Sequence, residues 1–122
     1  MMDMDPETKQ TAEIMARFND AFLTHDPSLL EGLIGADCVI ENTTPAPDGA
    51  RHVGGEACLK LWQAIATQPG TRFDVEDVVA AGDRATIRWR YHFGERQSVR
   101  GVNLMRVRDG QIVEAMGYVN GV

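Results

Sequence analysis

Apolar residues return along this chain with two different periods, and the change of period divides it in half. In the first half they recur every three or four positions: Ile14, Met15, Phe18 and Phe22, then Leu29, Leu30, Leu33 and Ile34, then Cys58, Leu61, Trp62 and Ile65. That spacing lines one face of a helix, so it predicts three. Asp5–Pro6–Glu7 opens the first, with a capping carboxylate, a proline suited to the first turn and an acid facing the dipole. It fades near Thr24–His25. Asp26–Pro27 repeats the opening and Gly35 offers a left-handed stop. Gln68–Pro69–Gly70 ends the third helix. Residues 37–43 read as a strand, and Pro45–Gly55, with two prolines and three glycines, as a loop.

The second half alternates. Residues 84–93 do so most cleanly, with Ile87, Trp89, Tyr91 and Phe93 on one side and Thr86, Arg88, Arg90 and His92 on the other. Residues 71–81, 97–107 and 111–119 supply three more strands. Gly82–Asp83, Gly94–Glu95 and Arg108–Asp109–Gly110 are the turns between them. Helices first and a strand meander afterwards predict an α+β fold. The expected form is a cone-shaped, cystatin-like roll: three N-terminal helices packed on a curved, mostly antiparallel sheet, as one domain over residues 1–122. The mouth of such a cone suits a small molecule.

Composition narrows the functions. The chain has 122 residues and a net charge of −6. No basic run is present, which argues against a nucleic-acid partner. No apolar run reaches the length of a membrane span and the acidic start has no apolar signal core, so the expected location is cytoplasmic and away from membranes. Cys38 falls in a strand pattern and Cys58 on an apolar helix face, so both are expected to be buried and reduced. Three scattered histidines and two such cysteines give no metal signature, and Gly54–Gly55 lacks the surroundings of a phosphate loop, so no cofactor is expected.

Several stretches carry a resemblance: Arg17–Phe18, His25–Asp26, Leu29–Leu30, residues 37–42 (DCVIEN), Gly54–Gly55, Leu61–Trp62 and residues 105–112 (MRVRDGQI). Together with the order of elements, they resemble the nuclear transport factor 2-like superfamily. It includes ketosteroid isomerases, SnoaL-like polyketide cyclases, scytalone dehydratase and limonene epoxide hydrolase. The resemblance implies the cone fold, a pocket and frequent homodimers. The isomerases' oxyanion tyrosine, base aspartate and protonated aspartate fall on Phe18, Asn42 and Asn103 here. None of the three is kept. Asparagine cannot take a proton at neutral pH, though Asn103 can donate a hydrogen bond to a developing oxyanion. A standard ketosteroid isomerase is therefore not expected.

The face of residues 84–93 that lines the pocket decides the chemistry. A two-residue turn at Gly94–Glu95 pairs Phe93 with Arg96 and Thr86 with Asn103, putting Arg88, Arg90 and His92 on the face of Asn103. With Asn103 inside, as the resemblance implies, the cavity would hold Asn42, Asn103, Arg88, Arg90 and His92. Phe18, Phe22 and Trp62 would be core and wall together. Trp89, Tyr91 and Phe93 would lie outside with Val102 and Leu104, an apolar face suited to homodimerisation through the sheet. The alternative places the aromatics inward, the default for such residues, and the arginines against Asp74, Glu76 or Asp77. One residue of slip in the hairpin exchanges the two.

On the first arrangement, His92 moves a proton, Asn42 and Asn103 orient an oxygen, and Arg88 and Arg90 hold negative charge. That predicts a proton-transfer enzyme (isomerase, cyclase or dehydratase) acting on a small carbonyl-containing metabolite. The alternatives are a binding protein with the same pocket and no chemistry, or a sheet-mediated interaction module.

Overall fold

A computed structural model of the chain describes residues 5–120, so Met1 to Met4 of the acidic start lie outside the described residues. Helix α1 (Pro6–Leu23) leads into a single 3-10 turn (Pro27–Leu30), then β1 (Ile34–Glu41), β2 (Arg51–Val53), α2 (Gly55–Thr67), β3 (Arg72–Ala81), β4 (Arg84–Phe93), β5 (Gln97–Arg108) and β6 (Gln111–Val119). The six strands form one sheet in the order β2-β1-β6-β5-β4-β3. All neighbours are antiparallel except β1 and β6. This is the α+β cone.

Two expectations change. The second helix is a four-residue turn, because Gly32 takes the left-handed conformation early and Gly35 is already inside β1. The loop Pro45–Gly55 contains β2, a short edge strand that pairs with the end of β1, Val39 facing Val53 and Glu41 facing Arg51. Three residues are too few for an alternation to show in the sequence.

Helix α1 is capped as its sequence indicates: the Asp5 carboxylate accepts from the Thr8 backbone N–H at 2.8 Å and from the Thr8 hydroxyl at 2.9 Å. Its two buried threonines are also hydrogen-bonded to the sheet. Gly82 N–H donates to Thr8 Oγ1 at 2.8 Å and Thr11 Oγ1 donates to Gly82 O at 2.7 Å, pinning the β3–β4 turn onto the helix. The buried face of α1 (Ile14, Met15, Phe18, Phe22) meets Cys58, Trp62 and Ala66 of α2 and Ile87, Met105 and Ala115 of the sheet. Phe18 packs edge-on to Trp62 at 4.8 Å between ring centroids. Cys38 and Cys58 are buried and unpaired, as expected, and the Cys58 thiol donates to Cys38 O at 3.3 Å. Burial, reinforced by the neighbouring Cys58, pushes the Cys38 thiol up, so it is an inert core group. Among the described residues no helix is long and apolar enough to cross a membrane.

Candidate functional site

The α1 face, α2 and the concave side of β3–β6 enclose a cavity of about 530 Å³, within the range of small-molecule sites. The register of the β4–β5 hairpin determines its walls. Phe93 pairs with Gln97, so the loop is three residues long (Gly94, Glu95, Arg96) and not two. Gly94 and Arg96 are both left-handed. A three-residue loop with a left-handed last residue is a standard hairpin closure, but arginine is a weak signal for that conformation and the sequence hides it.

That one extra residue exchanges the faces. Asn103 pairs with Ile87 and Gly101 with Trp89. Asn103 therefore shares the concave face with Trp89, Tyr91 and Phe93, all on the cavity wall. Arg88, Arg90 and His92 point to the convex side, contrary to the expectation that they enter the cavity. There Arg90 donates to Ser98 Oγ at 3.0 Å, and His92 Nε2 lies 2.7 Å from Asp74 Oδ2. The other expected residues do gather on the wall: Phe18, Phe22, Trp62, Asn42 and Asn103.

The two amides are oriented unambiguously. Trp89 Nε1–H donates to Asn103 at 3.1 Å. An indole can only donate, so the atom facing it is the amide oxygen. In the same way the Thr43 backbone N–H donates to Asn42 Oδ1 at 2.9 Å. With both oxygens engaged, each side chain has its N–H2 to offer a ligand. Two glycines make room for this. A Cβ at Gly101 would sit 2.4 Å from Trp89 Cζ2 and Cη2, so the indole lies directly over the bare backbone of β5. A Cβ at Gly117 would meet Asn103 Oδ1 at 3.2 Å and Glu41 O and Thr43 Cγ2 at 3.4 Å, so this open spot joins the Asn103 region to the end of β1.

The rest of the wall is a chain of rings. Phe22 contacts Phe73 at 5.7 Å, Phe73 contacts Trp89 at 5.7 Å and Tyr91 at 4.6 Å, and Tyr91 stacks on Phe93 at 5.7 Å. Gln68 adds an amide, and Tyr91 Oη donates to its Oε1 at 3.4 Å. Asn19 adds another from α1. It belongs to the stripe Met15, Phe18, Asn19, Phe22, and a polar residue inside an apolar stripe is the sequence signal that could have found it. Among the described wall residues Tyr91 is the only titratable one. No described cluster of His, Cys, Asp and Glu could hold a metal ion.

The remaining histidines have other surroundings. His25 Nδ1 donates to Ala66 O at 2.8 Å, closing the end of α2, and His52 belongs to β2.

A curved six-stranded sheet closing on its helices around an aromatic cavity is the nuclear transport factor 2-like cone. The SnoaL-like domain matches residues 15–115, and the chain belongs to that family. It is similar over 98% of both chains, at 68% identity and a TM-score of 0.92, to an NTF2-like protein of unknown function from Mesorhizobium loti. A candidate ketosteroid isomerase from Kribbella flavida shares 20% identity over 95% of this chain and 82% of its own, with a TM-score of 0.80. An epoxide hydrolase from M. tuberculosis, of the LEH-like kind, shares 22% over 94% and 86%, with a TM-score of 0.75. Those two likenesses concern the fold alone. No protein of curated function matches the chain by sequence.

Proposed function

We propose that this protein binds a small, flat, largely apolar molecule bearing a carbonyl or similar acceptor. The observation that carries this reading is the Trp89–Asn103 clamp, an amide fixed with its N–H2 free inside an aromatic cavity. Ring faces supply affinity by stacking and burial, and the amides of Asn103 and Asn42 select the end that carries oxygen. Leaving those donors unmet would cost more than a neutral contact gains, so a ligand without an acceptor is disfavoured. The test is a thermal-shift screen with planar ketones and their deoxygenated analogues. Stabilisation by the ketones, absent from the analogues and from the Asn103→Leu variant, supports the reading. Equal stabilisation by both sets refutes the role of the amides.

A second reading, proton-transfer turnover of a carbonyl-containing metabolite, is favoured by the same amides, because donors that hold a carbonyl also stabilise an enolate. The chemistry differs from the sequence expectation, since His92 is on the convex face. The proton would pass through Tyr91 Oη or solvent. Isotope exchange of the bound ketone in heavy water tests it: protein-dependent exchange supports turnover, its loss in Tyr91→Phe assigns the proton to Tyr91 Oη and its survival there to solvent, whereas ketone recovered without deuterium leaves the binding reading.

Self-association through the sheet is also part of the proposal, on changed grounds. The aromatics that were to form the interface are inside. What remains on the convex face is a patch with Val102, Leu104 (45% exposed) and Tyr118 (53% exposed) between ion pairs. Sedimentation at micromolar concentration decides it, and a monomer there rules out a stable dimer.

A further inference from the structure

We propose that the convex face holds a second ligand site, a cradle for a tetrahedral oxyanion such as a phosphate group, at the end of the sheet formed by Arg72, His92 and the 94–96 turn. A separate hollow of about 380 Å³ lies there, walled by Arg72, His92, Arg96 and the backbone of Gly94. No carboxylate is on its described wall, in a chain whose net charge is −6.

The Arg72 and His92 side chains are held in place from behind. Arg72 and His92 face each other across β3 and β4. Asp74, two residues along the same face, takes His92 Nε2 at 2.7 Å on one carboxylate oxygen and Arg72 Nε at 3.4 Å on the other. That engages one nitrogen of each. The terminal nitrogens of Arg72 and Nδ1 of His92 have no protein partner among the described hydrogen bonds. One carboxylate therefore orients the Arg72 guanidinium and the His92 ring without filling the hollow, and Nδ1 of His92 donates to an anion when the ring carries both protons.

The turn supplies the opposite side. Gly94 has φ 57° and Arg96 φ 59°, with Glu95 between them outside the left-handed region. Residues that alternate in this way bring successive backbone N–H groups to one side, forming a concavity that suits anions. The third position carries an arginine where the conformation favours glycine or asparagine, and that arginine lies on the wall of the hollow.

Donors thus arrive from β3, from β4 and from the turn. They do not share a plane, which matches the corners of a tetrahedral anion better than the flat edge of a carboxylate. Phe93 belongs to the walls of both this hollow and the large cavity, so the anion would sit beside the cavity mouth. Its nitrogen groups come from residues other than those lining the proposed ligand cavity, so the site stands or falls separately.

The experiment is a titration of the full chain with inorganic phosphate at constant ionic strength, followed by amide and histidine NMR signals, with acetate and phenyl phosphate as parallel arms. The expected result is saturable shifts confined to His92 and residues 94–96, weaker with acetate. In an Arg72→Gln/Arg96→Gln variant the affinity falls at least about tenfold. Both residues are on the surface, and either single variant can replace the pair if it folds poorly. Tighter binding of phenyl phosphate identifies phosphate esters as the ligands, and equal binding identifies free phosphate; both outcomes support the cradle. Shifts that do not saturate, that survive the double substitution, or that acetate reproduces at equal affinity overturn it.

Discussion

The two faces of β4 come from ten consecutive residues, Arg84–Phe93, and have opposite characters. The concave face (Ile87, Trp89, Tyr91, Phe93) joins a continuous aromatic wall around a cavity, with amides as its polar groups. The convex face (Arg88, Arg90, His92) sits among carboxylates, the Arg100–Glu76 pair at 3.0 Å and the His92–Asp74 contact at 2.7 Å. Every one of these residues exchanges faces if the β4–β5 loop loses one residue. The contrast shows that in a cone fold the loop length of a single hairpin determines whether the cavity presents charges or rings, and so which chemistry it can support.

The largest effects separate the faces by stability. Trp62 is 4% exposed and braced by Phe18 on the concave side. Trp62→Ala should cost about 3–5 kcal/mol, as large-to-small changes of aromatic core residues do. Arg88→Ala, across the sheet from the cavity, should change stability by no more than about 0.5 kcal/mol. Urea unfolding measures both. If the two costs are alike, the aromatic face is not the core.

Next is Gly101, the floor beneath Trp89. An added Cβ would fall 2.4 Å from two indole carbons and 2.6 Å from the carbonyl oxygen of Tyr118. The backbone contact cannot be relieved by a rotamer change. Gly101→Ala should therefore destabilise by roughly 1–3 kcal/mol, the usual range for overpacking, and should shift the Trp89 indole N–H resonance as the bond to Asn103 loosens. An unmoved resonance would separate the glycine from the clamp.

Ligand affinity is the next measure. Asn103→Leu keeps bulk and removes the amide, so binding of a planar ketone should weaken by about tenfold or more, the equivalent of a lost hydrogen bond at a buried donor. Arg90→Gln should leave that binding unchanged, because its side chain is on the other side of the sheet. A loss in Arg90→Gln matching that in Asn103→Leu would restore the arrangement with the charged row inside.

Much of this molecule is legible in its sequence, for identifiable reasons. Asp5–Pro6 caps α1, and Asp109–Gly110, both left-handed, close the β5–β6 hairpin, because those residue types have few other conformations that suit them as well. Phe18, Phe22, Trp62, Asn42 and Asn103 reach the cavity as expected. Their placement depends on helix period and strand ends, which tolerate small errors. The faces of Arg88, Arg90 and His92 depend on parity, which tolerates none. Arg96 carries no turn signature, so its left-handed backbone could not be counted from residue type. Glu76 shows the same limit in β3: the register shift between Val75 and Asp77 changes which residues face inward, and no glycine marks it. The Trp89–Asn103 bond follows from the register alone, so it was hidden by the same single residue.

The smallest expected effect concerns pH, and it too distinguishes the faces. On the convex side the His92 hydrogen bond, helped by Arg72, holds the Asp74 carboxyl below the ordinary aspartate value. The cavity wall has no carboxylate among its described residues. A carboxyl whose value is depressed in the folded state adds stability that is present above its unfolded value and lost as pH falls through the folded one, here below about pH 4. Asp5, held low mainly by the Thr8 backbone N–H, acts in the same direction at the start of α1. Both groups are exposed, so solvent screens them and each effect is small. Urea midpoints measured above and below that pH should converge in Asp74→Asn relative to the parent chain, and further in Asp5→Asn/Asp74→Asn. Asn103→Leu should show the parent's pH dependence, since an amide does not titrate. A flattened acid limb in Asn103→Leu, with none in Asp74→Asn, would place the acid-sensitive groups inside the cone and reverse the assignment of the two faces.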